Sequence, residues 1–320
     1  MRLRTIETFG LGQVKIGGSE ETFVSLNIAQ GSVIDFEAPS NMNTVQHTEQ
    51  QADGIAALVA KAAPRKAEKK PSNAISPGGI AALTAQAAEK SPASHQDSST
   101  RVGAIVNAAN ETCLGGGGVD GAISNAGGYK LRKDREALPL LSDHEVRCHT
   151  GNAVITGPNH YGSLRVNYVV HAVGPAYFRF TNQSDREDSD ESDSDMDVDP
   201  SNEFLKPDAL LRSAYQESLE RCRENNVTDV AFSLLSAGVF RGKRSLNDVL
   251  SIGVKAIRDW VAQQEKTNSE SAINDHSGDE VPCSPNQLQS VTLCGFSRTE
   301  VITLVKVCRH IFEITDTEME

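Results

Sequence analysis

Two asparagines, four consecutive glycines and one aspartate fall within fourteen residues: Asn107, Asn110, Gly115, Gly116, Gly117, Gly118 and Asp120. They follow a short apolar strand, Val102 to Val106, and precede a segment of helical composition. Backbone N–H groups in such a loop can close around phosphate oxygens because no Cβ blocks the approach, and the N-terminus of the next helix adds partial positive charge. No Lys follows the glycines, so the loop is not of the Walker type. A carboxylate beside bound phosphate is unfavourable unless it faces something else, such as a ribose hydroxyl or an attacking water. The chemistry is therefore expected at Asp120.

A second loop, Ser236-Ala237-Gly238-Val239-Phe240, follows another apolar strand. The Ser236 hydroxyl and the amides of Ala237, Gly238 and Val239 can donate to phosphate with little net positive charge. Taken alone this is an ordinary strand-to-helix turn; paired with the glycine loop it reads as the second side of a phosphate clamp. Gly116, Gly118 and Gly121 also satisfy the Gly-x-Gly-x-x-Gly spacing of dinucleotide oxidoreductases. That fingerprint needs its first glycine at the strand end and an acid closing the next strand roughly 20 residues on. Here eight residues separate Asn107 from Gly116, and Asp134 and Glu136 lie in a charged helical stretch, so the oxidoreductase reading is set aside.

The elements that must position these loops alternate. Phe23 to Ile28, Gly103 to Val106, Asn152 to Thr156, Val166 to Val173, Val230 to Leu235 and Ser290 to Cys294 read as strands. Leu205 to Asn225, Leu246 to Gln263 and Thr299 to Phe312 carry apolar residues near 3.6 spacing and read as helices. The fold class expected is α/β, a three-layer α/β/α sandwich on a mixed central sheet, with ligands at the carboxyl ends of the strands.

Three stretches cannot build a core and are expected as insertions in a single domain spanning 1–320. Residues 37–100 are rich in Ala, Ser and Pro and contain Gly54-Ile55-Ala56-Ala57-Leu58 and Gly79-Ile80-Ala81-Ala82-Leu83, two units of a repeat where a solenoid needs roughly three. Residues 182–203 are acidic and 265–287 polar, and both are expected to be disordered. The acidic run holds ten acids and one base, −9 of the net charge of −12, leaving −3 elsewhere. A nearly neutral remainder gives no basic footprint for nucleic acid. The six cysteines show no zinc spacing, and no run approaches a membrane span, so free thiols in cytoplasm or nucleus are expected, with no metal and no membrane association.

Residues 103–128 contain Ile105-Val106-Asn107-Ala108-Ala109-Asn110, the glycine string and Val119-Asp120-Gly121-Ala122-Ile123, and they closely resemble the signature of the macrodomain family, which binds ADP-ribose. Cys148 to Thr156, Val169 to Pro175 and Ser236 to Phe240 resemble later landmarks in the family's order, and the likeness covers roughly residues 24–36, 101–181, 204–264 and 288–314. The resemblance implies that Gly115 to Val119 and Ser236 to Phe240 clamp the diphosphate, that Phe240 packs on the distal ribose, and that Phe296 is a candidate to stack on adenine. Asn110 would bond the distal ribose hydroxyls, and Asp120, as in the MacroD-type hydrolase branch, would orient or activate a water; these two are the catalytic candidates. Asn107 is expected to satisfy buried backbone groups, and His171 to be structural.

The activity that the resemblance implies is binding of ADP-ribose with hydrolysis of mono-ADP-ribose esters on acidic side chains, or deacylation of O-acyl-ADP-ribose. The alternative is a non-catalytic reader of mono-ADP-ribosylated proteins. No cofactor is implied, ADP-ribose being ligand or product, and a monomer is expected. Three departures stand out. Gly31-Ser32-Val33 replaces the usual Gly-Asp-Ile, which puts a neutral acceptor at the adenine end and should weaken discrimination by roughly 1 kcal/mol. Ser124 stands where the branch commonly has His, and Arg241-Gly242-Lys243 where it has Gly-Tyr-Pro.

Overall fold

Strands covered on both faces have no polar side to show, and the most uniformly apolar runs of this chain become the middle of its sheet. The structure is a computed structural model that describes residues 3–16, 20–39, 101–141, 145–181, 204–274 and 288–313. Its inner strands are β3 (Gly103–Ala108), β5 (Tyr168–Ala172), β6 (Asp229–Ser233) and β7 (Ser290–Gly295), with β6 and β7 buried at every residue. With β1 (Arg4–Ile16), β2 (Glu20–Gln30) and β4 (Ala153–Thr156) they form one seven-stranded sheet in the order β1-β2-β7-β6-β3-β5-β4. The five strands from β2 to β5 are parallel, and β1 and β4 run antiparallel at the two edges.

Helices cover both faces, as the expected three-layer sandwich requires. On one side α3 (Leu205–Glu224), α4 (Leu246–Asn274) and α5 (Arg298–Ile311) share a core with Val106, Phe232 and Leu293. On the other, Ile123 and Leu131 of α1 (Gly118–Glu136) pack with Val33, Phe36, Ile105 and Ala231. The short α2 (Phe178–Thr181) follows β5. At the amino end of the sheet Arg101 ties strands together: its Nε donates to buried Asp229 Oδ2 at 2.7 Å and its Nη1 to Gln289 Oε1 at 2.6 Å.

The chain leaves β3 for β5 on one side and returns to β6 on the other, so the loops after β3 and β6 part at their carboxyl ends. Open α/β sheets place ligands at such a reversal. All the parallel strands deliver their following loops to this one edge.

Three elements differ from the sequence expectation. β1 is an additional strand; Gly10 and Gly12 lower its strand propensity, and it pairs with β2 through register shifts at Thr5/Glu7 and Gly10/Gly12. It is held by tertiary contacts, Phe9 stacking on Phe312 at 5.5 Å and Arg309 Nε donating to Glu7 Oε1 at 3.0 Å. Helix α4 continues to Asn274, eleven residues past Gln263 and into the stretch assigned to the third insertion. β5 begins at Tyr168, because Leu164 and Val166 are buried in the core beside α1 instead of continuing the strand. Residues 40–100, 182–203 and 275–287 of the expected insertions lie outside the described residues. Among those described, no helix is long and apolar enough to cross a membrane.

Candidate functional site

The loops that carry the candidate site residues all leave the carboxyl edge of the sheet. Ser32 and Val33 follow β2, the glycine loop follows β3, Ser236 to Phe240 follow β6, and Phe296 follows β7. The centre of the arrangement is Asp120, in the first turn of α1 and 3% exposed. Its Oδ1 accepts from Asn107 Nδ2 at 2.8 Å and from Arg135 Nη2 at 2.7 Å, whereas its Oδ2 is buried with no hydrogen-bond partner among the described residues. A Cβ on Gly116 would stand 3.1 Å from that Oδ2 and 3.4 Å from Asn110 Nδ2, so any larger residue would crowd the Asp120 carboxylate.

Arg135 is the functional residue that sequence reasoning misses. It is 1% exposed and its guanidinium binds three groups: Nη2 on Asp120, Nη1 on Ser124 Oγ at 2.7 Å, and Nε on the carbonyl of Cys113 in the glycine-loop stem. Fifteen residues of straight helix would separate it from Asp120 by about 22 Å. They meet because α1 breaks at Gly128, whose φ of 64° and ψ of −155° are not helical, so the second half of the helix turns back toward the first. The loop 157–164 ties the two halves together. Tyr161 Oη and Asn159 Nδ2 both donate to Asp134 Oδ2, at 2.7 and 2.6 Å, and Ser163 N donates to Ala126 O at 2.8 Å. The departure at Ser124 fits this geometry: its hydroxyl donates to Asp120 O at 2.8 Å while accepting from Arg135.

Asn107 does not serve backbone groups as expected. It lies opposite His171 in the β3–β5 register, and its amide donates both to Asp120 and to His171 Nδ1, the latter at 3.3 Å, leaving its own Oδ1 without a partner among the described residues. Because an amide N–H can only donate, Nδ1 accepts and the imidazole proton resides on Nε2, which donates to Thr156 Oγ1 at 3.1 Å; that hydroxyl passes a bond to Val169 O at 3.3 Å. Burial, with a smaller contribution from the Arg135 charge, holds His171 well below the ordinary imidazole range. A histidine neutral in the fold but protonated when unfolded costs stability as pH drops below about 6.5, at about 1.4 kcal/mol per pH unit until its folded-state value is reached. Urea unfolding between pH 6.5 and 5 should therefore show a slope steeper by about one proton in the wild type than in His171→Gln. Equal slopes would mean that the imidazole titrates normally.

The loops present donors. Asn110 closes the first loop on itself, its Nδ2 donating to Gly115 O at 2.9 Å and its Oδ1 accepting from Thr112 at 2.7 Å. The amides of Gly115, Gly116 and Gly117 have no partner among the described residues. In the second loop Ser236 has a φ of 55°, and its hydroxyl donates to Pro175 O at 2.8 Å, so it braces the loop after β5. The Ala237 amide turns back to Leu234 O at 3.4 Å. The amides of Gly238 and Val239, like that of Ser236, have no partner among the described residues, and Val239 is 87% exposed. Phe240 packs on Phe178 with centroids 6.2 Å apart, and its carbonyl accepts from Tyr177 N at 2.8 Å. Phe296 is 79% exposed; the residue after it, Ser297, opens α5 with a reciprocal capping box with Glu300 that fixes the chain at that point. Val33 and Val119 meet in one apolar cluster, which links the ends of the loops after β2 and β3, while Ser32 makes no side-chain cap.

A cleft of about 690 Å³ is lined by Leu114, Gly115, Gly116, Ser124, Tyr129 and Arg135 among others; Asp120 itself does not line it, though Gly116 and Gly121 on either side of it do. It lies on the α1 side of the glycine loop, and Ser236 to Phe240 do not line it.

The arrangement can therefore bind an anion through loop amides and offer one unpaired carboxylate oxygen next to it. Residues 106–191 and 201–247 match the family model described as Macro domain. A macro domain-containing protein of Caldanaerobacter subterraneus is 40% identical over 139 residues, 43% of this chain and 63% of that protein. An O-acetyl-ADP-ribose deacetylase of Escherichia fergusonii is 33% identical over 162 residues, 51% of this chain and 74% of its own length. The ADP-ribose glycohydrolase MACROD2 of Mus musculus is 34% identical over 165 residues, 52% of this chain and 28% of the mouse protein. The sheet order, the two loops after its central parallel strands and these matches agree: the chain belongs to the Macro domain family.

Proposed function

We propose that this protein binds ADP-ribose and hydrolyses the ester that joins its distal ribose to an acidic side chain, or to a small acyl group. The observation that carries the reading is the division of labour on Asp120: Oδ1 is held by Asn107 and Arg135, and Oδ2, against Gly116, has nothing to bond among the described residues. A buried acceptor without a donor is an unsatisfied group that a water would satisfy. The amides of Gly115 to Gly117 and of Gly238 and Val239 hold the diphosphate, and the sugar is thereby set in place for attack. Asp120 Oδ2 orients the water and takes its proton as the new bond to the sugar forms. The bond from the sugar to the ester oxygen breaks in the same step, and the acceptor leaves as a carboxylate, which needs no proton. A single acid residue therefore suffices, and no metal or cofactor takes part. For an acyl ester the same water adds to the acyl carbon as Asp120 takes its proton; the bond from that carbon to the ribose oxygen then breaks, and the ribose oxygen takes the proton back from Asp120 as it leaves as a hydroxyl.

The relatives named as a deacetylase and a glycohydrolase support the reaction class. Calorimetric titration with ADP-ribose, with AMP and NAD as controls, combined with incubation of the chain with a glutamate-linked mono-ADP-ribosylated protein, tests it. ADP-ribose binding together with release of ADP-ribose is expected. Binding without release would make the protein a reader, and no binding would overturn both readings.

A further inference from the structure

The stem of the glycine loop contains a second reactive group that ester hydrolysis does not use. Cys113 and Cys148 lie 35 residues apart in sequence, yet both are buried in one small cluster with Ala109 and Val173. The segments carrying them are stitched together, since Arg147 N and Cys148 N both donate to Glu111 O, at 2.8 and 3.1 Å. Cys113 has a φ of 56°, a left-handed conformation that few side chains adopt, which turns its carbonyl into the Arg135 guanidinium. As a neutral thiol Cys113 donates to Asn110 O at 3.6 Å. The neighbouring Cys148 thiol, aided by the Arg135 charge, pulls Cys113 below the usual thiol range against the opposing effect of burial, while Cys148, whose thiol donates to the carbonyls of His149 and His171 at 3.7 and 4.0 Å, is pushed up. One partner is thus the nucleophile and the other the resolving thiol.

We propose that Cys113 and Cys148 form a redox-responsive dithiol, oxidised by a hydroperoxide to a disulfide that slows turnover at Asp120. The Cys113 thiolate attacks a peroxide oxygen, the O–O bond breaks, and Cys113 becomes a sulfenic acid with release of hydroxide. The Cys148 sulfur then attacks the Cys113 sulfur and loses its proton, the S–O bond breaks, and a second water leaves; two thiols are oxidised and one peroxide is reduced to two waters. A disulfide draws two sulfurs to about 2 Å. Closing that bond re-sets the Cys113 backbone whose carbonyl holds Arg135 Nε, and through Arg135 the Asp120 clamp, with Leu114 and Gly115 next along the chain.

The effect on turnover rests on the hydrolase reading; formation of the bond does not, and the test separates the two. The reduced full-length chain is treated with a small molar excess of hydrogen peroxide, then digested without reductant for peptide mass mapping, with ADP-ribose release measured in parallel. A peptide pair joining Cys113 to Cys148, two mass units lighter than its reduced parts, is expected, with release lowered at least fivefold and restored by dithiothreitol. Cys148→Ser should keep its basal release and lose the peroxide response. Absence of that peptide pair, pairing with Cys283 instead, or a formed pair with unchanged release overturns the proposal. A reduced chain that releases no ADP-ribose counts against the hydrolase reading, and the peptide map then still decides whether the dithiol exists.

Discussion

Asp120→Asn should lower ADP-ribose release from a glutamate-linked substrate by about 10²- to 10⁴-fold, the range that a positioned general base contributes. The substitution is chosen for what it keeps. The remaining oxygen can still accept from Asn107 and Arg135 as Oδ1 does now, at 2.8 and 2.7 Å, so the loop and the two halves of α1 stay in place. What changes is the atom facing Gly116, which turns from an acceptor into a donor and can neither orient a water through its proton nor take that proton. Binding of ADP-ribose should stay within a few-fold of wild type, because the proposed reading draws its phosphate contacts from main-chain amides. Parallel measurement of single-turnover release and calorimetric affinity checks both halves. A variant that still releases ADP-ribose within tenfold of wild type would remove Asp120 from the chemistry.

The site is legible in the sequence to the extent that it is local. Glycines in a row, an amide at each end of a short strand tail and a carboxylate at the next helix start all lie within one loop, and their chemistry depends on spacing along the chain. The same holds for the parallel core, where uninterrupted apolar runs mark strands with two covered faces. What the sequence hides depends on long-range packing. Strand β1 reads poorly because Gly10 and Gly12 interrupt it, and it is secured by Phe312 and Arg309 some three hundred residues away. Ser236 reads as a phosphate donor, but whether its hydroxyl points at a ligand or at Pro175 is settled by the distance between the loops after β5 and β6. Arg135 is hidden most thoroughly, since helical periodicity places it four turns from Asp120. The adjacent glycines Gly127 and Gly128 inside a helical run are the one signal that the periodicity stops there.

Arg135→Met should lower the stability of the folded chain by about 3–5 kcal/mol, because it leaves the Asp120 carboxylate buried without its counter-charge. Methionine fills much of the same volume, so the loss reports the charge and not a cavity. For a domain of this size that corresponds to a fall in Tm of about 6–20 °C. The ion pair supplies its own control. If the cost is the stranded carboxylate, neutralising it should recover most of the loss, so Arg135→Met combined with Asp120→Asn should be more stable than Arg135→Met alone, the reverse of additive damage. Arg135→Lys should recover little, since one ammonium cannot reach Asp120 Oδ1, Ser124 Oγ and the Cys113 carbonyl together as the planar guanidinium does. Thermal and urea unfolding of the three variants decides between charge and packing. Should the double variant be less stable than Arg135→Met, the guanidinium acts through packing of the two halves of α1 and not through the charge on Asp120, and the carboxylate would be held for chemistry by Asn107 alone.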